Sequence, residues 1–317
     1  MSNETMDKPI QDLVYALAAS PNFAQDGICF AARASGLYRS DDGGSTWRSV
    51  YGSLNLAAPL ATTAVVVSPA FESDHSLFAG AQGGALHSVD GGESWHIVTF
   101  PPPSPTVSTL AVSPNFVHDG TLFAGTLEDG VFRSADRGSH WAAWNFGLLD
   151  LNVLCMAISP AFADDETLFV GTESGIFRST NGGRAWREVD LPLDYAPVLS
   201  LALSPNYARD GILLAGTEAC GLFRSDDRGH TWTRLGEDTV ADAVNGIVLS
   251  PAFPTQADIL AALGTALLIS RDGGESWSDW QADLSIAQGI ASVAAPRGLV
   301  PGTLLLVGLV EGGVLRV

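Results

Sequence analysis

Tryptophan returns along this chain at Trp47, Trp95, Trp141, Trp186, Trp232 and Trp277, at intervals, by subtraction, of 48, 46, 45, 46 and 45 residues. A beat this regular leaves little choice of fold. Each unit is one supersecondary motif, too small to bury its own apolar faces, and it must stack on copies of itself. Prolines keep the same time at Pro21, Pro69, Pro114, Pro160, Pro205, Pro251 and Pro296, so seven units are expected.

Residues 153–189 show what one unit contains. Val153 to Ile158 is an apolar run that Ser159, Pro160 and Ala161 end with turn chemistry. Thr167 to Thr172, Gly175 to Ser179 and Trp186 to Val189 then read as three more short strands, parted by Gly, Asp, Asn and Ser. The spacing leaves no room for helices between them. Four-stranded meanders that recur in this way stack around an axis, which predicts an all-β, seven-bladed β-propeller of four-stranded antiparallel blades. The innermost strand of each blade is expected to be the most enclosed, and Val65 to Val67, Leu154 to Ile158, Leu199 to Leu203 and Ile247 to Leu249 suit that position.

The turn before the fourth strand is the most specific signal. It reads SDDGGSTW at 40–47, SVDGGESW at 88–95, SADRGSHW at 134–141, STNGGRAW at 179–186, SDDRGHTW at 225–232 and SRDGGESW at 270–277. A short carboxylate or amide oxygen at Asp42, Asp90, Asp136, Asn181, Asp227 and Asp272 can accept backbone N–H groups across a tight turn. Glycine tolerates the left-handed backbone there, and tryptophan roofs the turn. These boxes lack the alternating ligand set and terminal Glu of a calcium loop, so a structural role is expected and no metal. A second motif, S-P-[NA]-[FY] leading to Asp26, Asp74, Asp119, Asp165, Asp210 and Asp258, again reads as turn capping.

On these boxes the chain resembles the Asp-box, or BNR-repeat, propellers of the WD40/YVTN-like repeat class, over about residues 12–317. That group includes sialidases, sortilin-type receptors, xyloglucan-cleaving glycosidases and a photosystem II assembly factor. In it the box is structural, as the residues themselves suggest. The arginine triad, Tyr-Glu pair and Arg-Ile-Pro motif that the resemblance to sialidases would require are not found.

One domain spanning 1–317 is expected, with repeats starting near 12, 60, 106, 152, 197, 243 and 288. The seventh stops before any Asp box, so the last blade is either left three-stranded or completed by residues 2–10 of the N-terminal segment 1–11. That segment has neither the basic start nor the apolar core of a secretory signal, and no apolar run is long enough for a membrane helix. Three cysteines without CxxC spacing, Cys29, Cys155 and Cys220, read as buried free thiols and point with the missing signal to the cytoplasm. A formal charge of −19, with one lysine, repels nucleic acid and anionic membranes and leaves a basic or apolar protein surface as the expected partner. A monomer is expected in the absence of that partner.

No catalytic motif is present: no G-x-S-x-G elbow, no phosphate-binding loop, no metal-spaced histidines. Absence of a motif lowers the weight of an enzymatic reading without removing it. His75, His87, His96, His118, His140 and His230 read as surface or filler residues, and no cofactor is expected. Arg39, Arg133, Arg178, Arg224 and Arg316 share one third-strand position and read as consensus surface residues rather than a substrate clamp.

Repeat lengths allow no long catalytic insertion; only a three-residue excess between Tyr51 and Thr63 stands out. Glu128, Asp129, Glu173, Glu218 and Glu311 all fall between second and third strands and could form an acidic arc on one face. The inter-blade connections carry Leu54, Leu56, Phe100, Pro101 to Pro103, Phe146, Leu148, Leu149, Leu191, Leu193 and Tyr195. Two readings follow. A non-catalytic scaffold or assembly-factor-type propeller would present this apolar and acidic face to a protein. A carbohydrate-binding or glycoside-hydrolase-like propeller would set paired carboxyl groups beside aromatic platforms, for which Tyr51, Phe146 and Tyr195 are the candidates.

Overall fold

In the computed structural model, residues 11–193 and 195–317 are described. They form seven antiparallel sheets, six of four strands and the last of three, each a meander in sequence order. The innermost strands are Val14–Ala19, Thr62–Val67, Thr106–Val112, Val153–Ile158, Val198–Leu203, Gly246–Leu249 and Ile290–Ala294, and they define blades 1 to 7. Each inner strand packs against that of the next blade, and that of blade 7 packs on blade 1, so the ring closes. Blade 7 ends with its third strand, Val314–Arg316; the suggested closing strand at residues 2–10 lies outside the described residues.

The core sits one strand further out than expected. Second strands such as Leu77–Ala81 and Leu213–Thr217 are buried along their whole length, whereas inner strands such as Val153–Ile158 are mostly half-buried. An inner strand has neighbouring blades on two sides but an open axis on the third; a second strand is enclosed all round. Close approach of the blades requires glycine in that second strand: a Cβ on Gly125 would lie 2.5 Å from a methyl of Val153, and one on Gly171 2.7 Å from Val198 of the following blade.

The S-P turns of blades 1 to 5 contain what the sequence reading left out, a single helical turn, as at Phe23–Asp26 and Tyr207–Asp210. Its aspartate closes the turn as expected: Ser20 Oγ donates to Asp26 at 2.6 Å and the Ile28 N–H at 2.9 Å, and the same pair recurs at Ser204 and Asp210. The Asp box of the same blade docks beneath it, the Gly43 N–H donating to the Gly27 carbonyl at 2.9 Å.

Within the box, Asp42 accepts the Ser45 and Thr46 N–H groups at 2.9 Å and the Thr46 hydroxyl at 2.6 Å. These bonds, that from the Thr46 hydroxyl foremost, hold its carboxyl well below the usual carboxylate range. Asn181 supplies the same acceptor with its amide oxygen, which takes the Ala185 N–H at 2.9 Å. The indoles of Trp47, Trp141 and Trp277 donate back to the box carbonyls of Gly44, Gly138 and Gly274; that of Trp95 donates both to Gly92 and to Val50 of the preceding blade, and that of Trp186 to the Trp144 carbonyl of the preceding blade instead. The Trp232 indole nitrogen is buried without a partner.

The repeated arginines are not surface residues in the sense expected. Arg39 donates to the carbonyl of Gly91 at 2.6 Å, Arg133 to Gly182 at 3.2 Å, Arg178 to Arg228 at 2.8 Å and Arg224 to Gly273 at 2.8 Å. Arg316 does the same across the closure of the ring, reaching the Ser45 hydroxyl at 2.5 Å. Every one of these partners belongs to the Asp box of the following blade, so the arginines pin blade to blade.

Candidate functional site

The second-to-third-strand hairpins and the inter-blade linkers share the face opposite the Asp boxes. In blades 3 to 5 these segments are stitched together. The linker at 144–152 crosses from the rim to the axis, and its last residue, Asn152, accepts the Glu128 N–H at 3.0 Å and donates to the Glu173 carboxylate at 3.3 Å. Asp150, two residues earlier, accepts the N–H groups of Asn152 at 2.9 Å and Ser174 at 2.8 Å. Burial works to raise the Asp150 carboxyl, yet these donors outweigh it and hold it below the usual range. Asn145 fastens the outer end, donating to the Asp129 carbonyl at 2.8 Å. Two neighbouring hairpins and the linker between them therefore form one fixed surface.

The expected arc is brought together only in part. Glu128 and Glu173 meet around Asn152, with Glu128 in the left-handed backbone region at φ 78°. Asp129 is half-buried beside them. Glu218 lies one blade on, where its N–H donates to the Pro197 carbonyl at 2.9 Å. Glu311 stands apart on the hairpin of blade 7, exposed. The carboxylates of Glu128, Glu173 and Glu218 stand in solvent, without the apolar enclosure in which a general acid operates.

The aromatic candidates divide more sharply. Tyr51 is buried, its hydroxyl 2.9 Å from that of Thr62 and its ring edge-on to Trp95. Phe100 is buried against Phe132 and Trp141, at 4.6 and 5.3 Å between ring centres. Both are core residues beneath their linkers, which corrects their assignment to the loop face. Phe146 is exposed at the rim, where its carbonyl accepts the Trp186 N–H. Tyr195 is 63% exposed and Leu149 78%, and Leu127 and Leu151 join them as exposed apolar side chains of the same sector. Sequence reasoning misses Leu127, Leu151 and the bridging Asn152; for the last, the only signal is its place directly before an inner strand.

Two clefts lie elsewhere. One of about 390 Å³ is lined by Ser35, Tyr51 and Asn55 to Leu60, and so is formed by the three-residue excess in the first linker. The other, about 290 Å³, opens between Trp141 and Trp144 beside Arg133 and His140, where the outer strand Ala142–Ala143 presents no side chain long enough to fill it. Neither takes in Glu128, Glu173 or Glu218. Among the described residues no group of three or more His, Cys, Asp or Glu side chains is placed to hold a metal ion, and no helix is long and apolar enough to cross a membrane.

Residues 222–235, from the third strand of blade 5 through its Asp box, match the BNR-Asp box repeat family. No curated protein matches the sequence. Among solved structures, YCF48 bound to D1 peptide superposes with a TM-score of 0.72 at 18% identity, over 97% of this chain and 94% of that one. The GH74 xyloglucanase from Xanthomonas campestris superposes with a TM-score of 0.73 at 18% identity, over 95% of this chain and 51% of that one. The extracellular domain of BT4673 from B. thetaiotaomicron gives 0.71 at 17% identity, over 96% of this chain and 38% of that one. The chain thus spans about half of the length of the xyloglucanase and 38% of that of the BT4673 domain. Identities this low carry the fold alone.

Proposed function

We infer that this seven-bladed propeller of BNR-Asp box repeats is a non-catalytic interaction module that docks a protein partner on the loop face of blades 3 to 5. The observation that carries the reading is the exposure of Leu149 on a linker fixed by the Asn152 and Asp150 bonds, with Tyr195 exposed on the next linker, which the Glu218 N–H ties at Pro197. Apolar side chains held out on a rigid frame cost little order on binding, as a docking surface requires. The likeness to YCF48, which covers nearly the whole of both chains and is bound to a peptide, supports the same reading. Three unpaired cysteines support a reducing compartment, the cytoplasm.

Carbohydrate binding is the second reading, favoured by the cleft between Trp141 and Trp144. Glycoside hydrolysis is disfavoured, because Tyr51 and Phe100 are core residues and the Glu128, Glu173 and Glu218 carboxylates stand in solvent.

Affinity capture from the native cell, with the wild-type protein beside a Leu149→Ser/Tyr195→Ser variant, separates the two. A stoichiometric partner identified by mass spectrometry, retained by wild type and lost by the variant, is expected. Capture of no protein together with glycan-array binding abolished by Trp144→Ala would replace docking with sugar recognition.

A further inference from the structure

Charge is distributed unevenly on the loop face. The segments 127–130, 144–152, 172–175, 190–197 and 217–221 contain acidic residues in every case and no Lys, Arg or His. The repeat arginines Arg133, Arg178 and Arg224 of the same blades are committed to the opposite face, where they hold Asp-box carbonyls. The segments that present Leu127, Leu149, Leu151 and Tyr195 therefore contribute carboxylates and no cation of their own. Among the described residues neither Glu128 nor Glu218 is paired with a cation, and Glu173 has only the long amide bond from Asn152.

We propose that the occupant of this apolar face is a protein segment that pairs an apolar anchor with a cationic side chain. The anchor lies on Leu149, Leu151 and Tyr195, and the Lys or Arg enters between Glu128 and Glu173. The proposal rests on the docking reading above and adds the chemistry of the partner. Complementary charge selects it: an acidic segment would meet a field of its own sign, and a phosphate-bearing ligand would be repelled more strongly still. Apolar contact selects it equally, because exposed carboxylates alone bind a cation weakly in water. Asn152 sets the register. Its side-chain N–H donates to the Glu173 carboxylate and its side-chain oxygen accepts the Glu128 N–H, so the Glu173 carboxylate and the backbone that presents Glu128 are held against one linker.

The test is fluorescence anisotropy with three short labelled peptides: one alternating leucine and arginine, one leucine and glutamate, and one serine and arginine. The leucine–arginine peptide is expected to bind alone, to weaken as salt rises, and to lose about tenfold in affinity to a Glu128→Gln/Glu173→Gln variant. It should lose at least as much to Leu149→Ser/Tyr195→Ser, with circular dichroism confirming that both variants are folded. Equal binding by the leucine–glutamate peptide, or indifference to the Gln variant, would overturn the charge assignment and leave apolar docking standing if the Ser variant still fails. Binding unaffected by either variant overturns both. No binding of the leucine–arginine peptide overturns the proposal, while the capture experiment continues to decide the docking reading.

Discussion

His87 occupies the position that arginine holds in five other blades, and it solves the junction differently. It stacks flat on Phe78, 4.3 Å between ring centres, opposite His96 on the outer strand, and its Nε2 is buried without a partner. Burial pushes its pKa down to about 4, helped by His96 and Arg137 and opposed by Asp74. The unfolded chain takes up this proton near pH 6.5, so it binds more protons than the folded chain throughout that interval. The stability that the neutral ring contributes is thus complete above about pH 6.5 and is lost as pH falls toward 4. A His87→Phe variant, which keeps the stack, should show a flatter decline in melting temperature across that window than wild type. Parallel curves would mean that His87 is not the group responsible. Of the two readings that the sequence allows for this residue, surface or filler, the structure takes the second, because Phe78, its neighbour in the adjacent strand, covers the ring.

At the level of strands and turns, most of the blade is legible. The four strands of blade 4 fall within two residues of expectation, since Gly, Asn and Ser mark each turn and the alternation between them is short. What escapes is the direction in which a linker side chain faces. Phe100 and Phe146 look alike in sequence, each a few residues past an outer strand, yet one lies in the core and the other at the rim. The difference is decided by room beneath the linker, which in blade 3 is already taken by Leu148, buried in the core with Phe177 and Trp186. The arginine pins escape for a related reason: Arg39, Arg133, Arg178 and Arg224 each reach a carbonyl about one repeat further on, as with the separation of 49 residues from Arg224 to Gly273. Arg224→Met should lower stability by about 1 to 2 kcal/mol in chemical denaturation, the contribution of one charged hydrogen bond. Arg187→Met, on an exposed outer strand without such a partner, serves as the control and should change little.

Across the whole molecule, six of the seven junctions carry one and the same kind of bond at their inner strands. Ser108 donates to the Val153 carbonyl at 2.5 Å, Cys155 to Val198 at 3.3 Å, Ser200 to Val244 at 2.7 Å, Asn245 to Ile290 at 2.8 Å, and Thr63 to Val107 in the same manner. Ser292 repeats the bond to Val14 at 3.0 Å, joining the last blade to the first, and Asp12 bridges to Gly312 beside it. The closing junction is therefore built as five others are, and the ring is held where the chain meets itself by the same bond that holds it elsewhere. A circular permutant follows as a consequence: residue 317 joined to residue 12 through a short flexible spacer, with the chain reopened in the exposed linker at 52–58, should regain the same fold. It should unfold in one transition close to that of the parent, as judged by circular dichroism. Two transitions would instead reveal that one junction governs the order in which the others assemble.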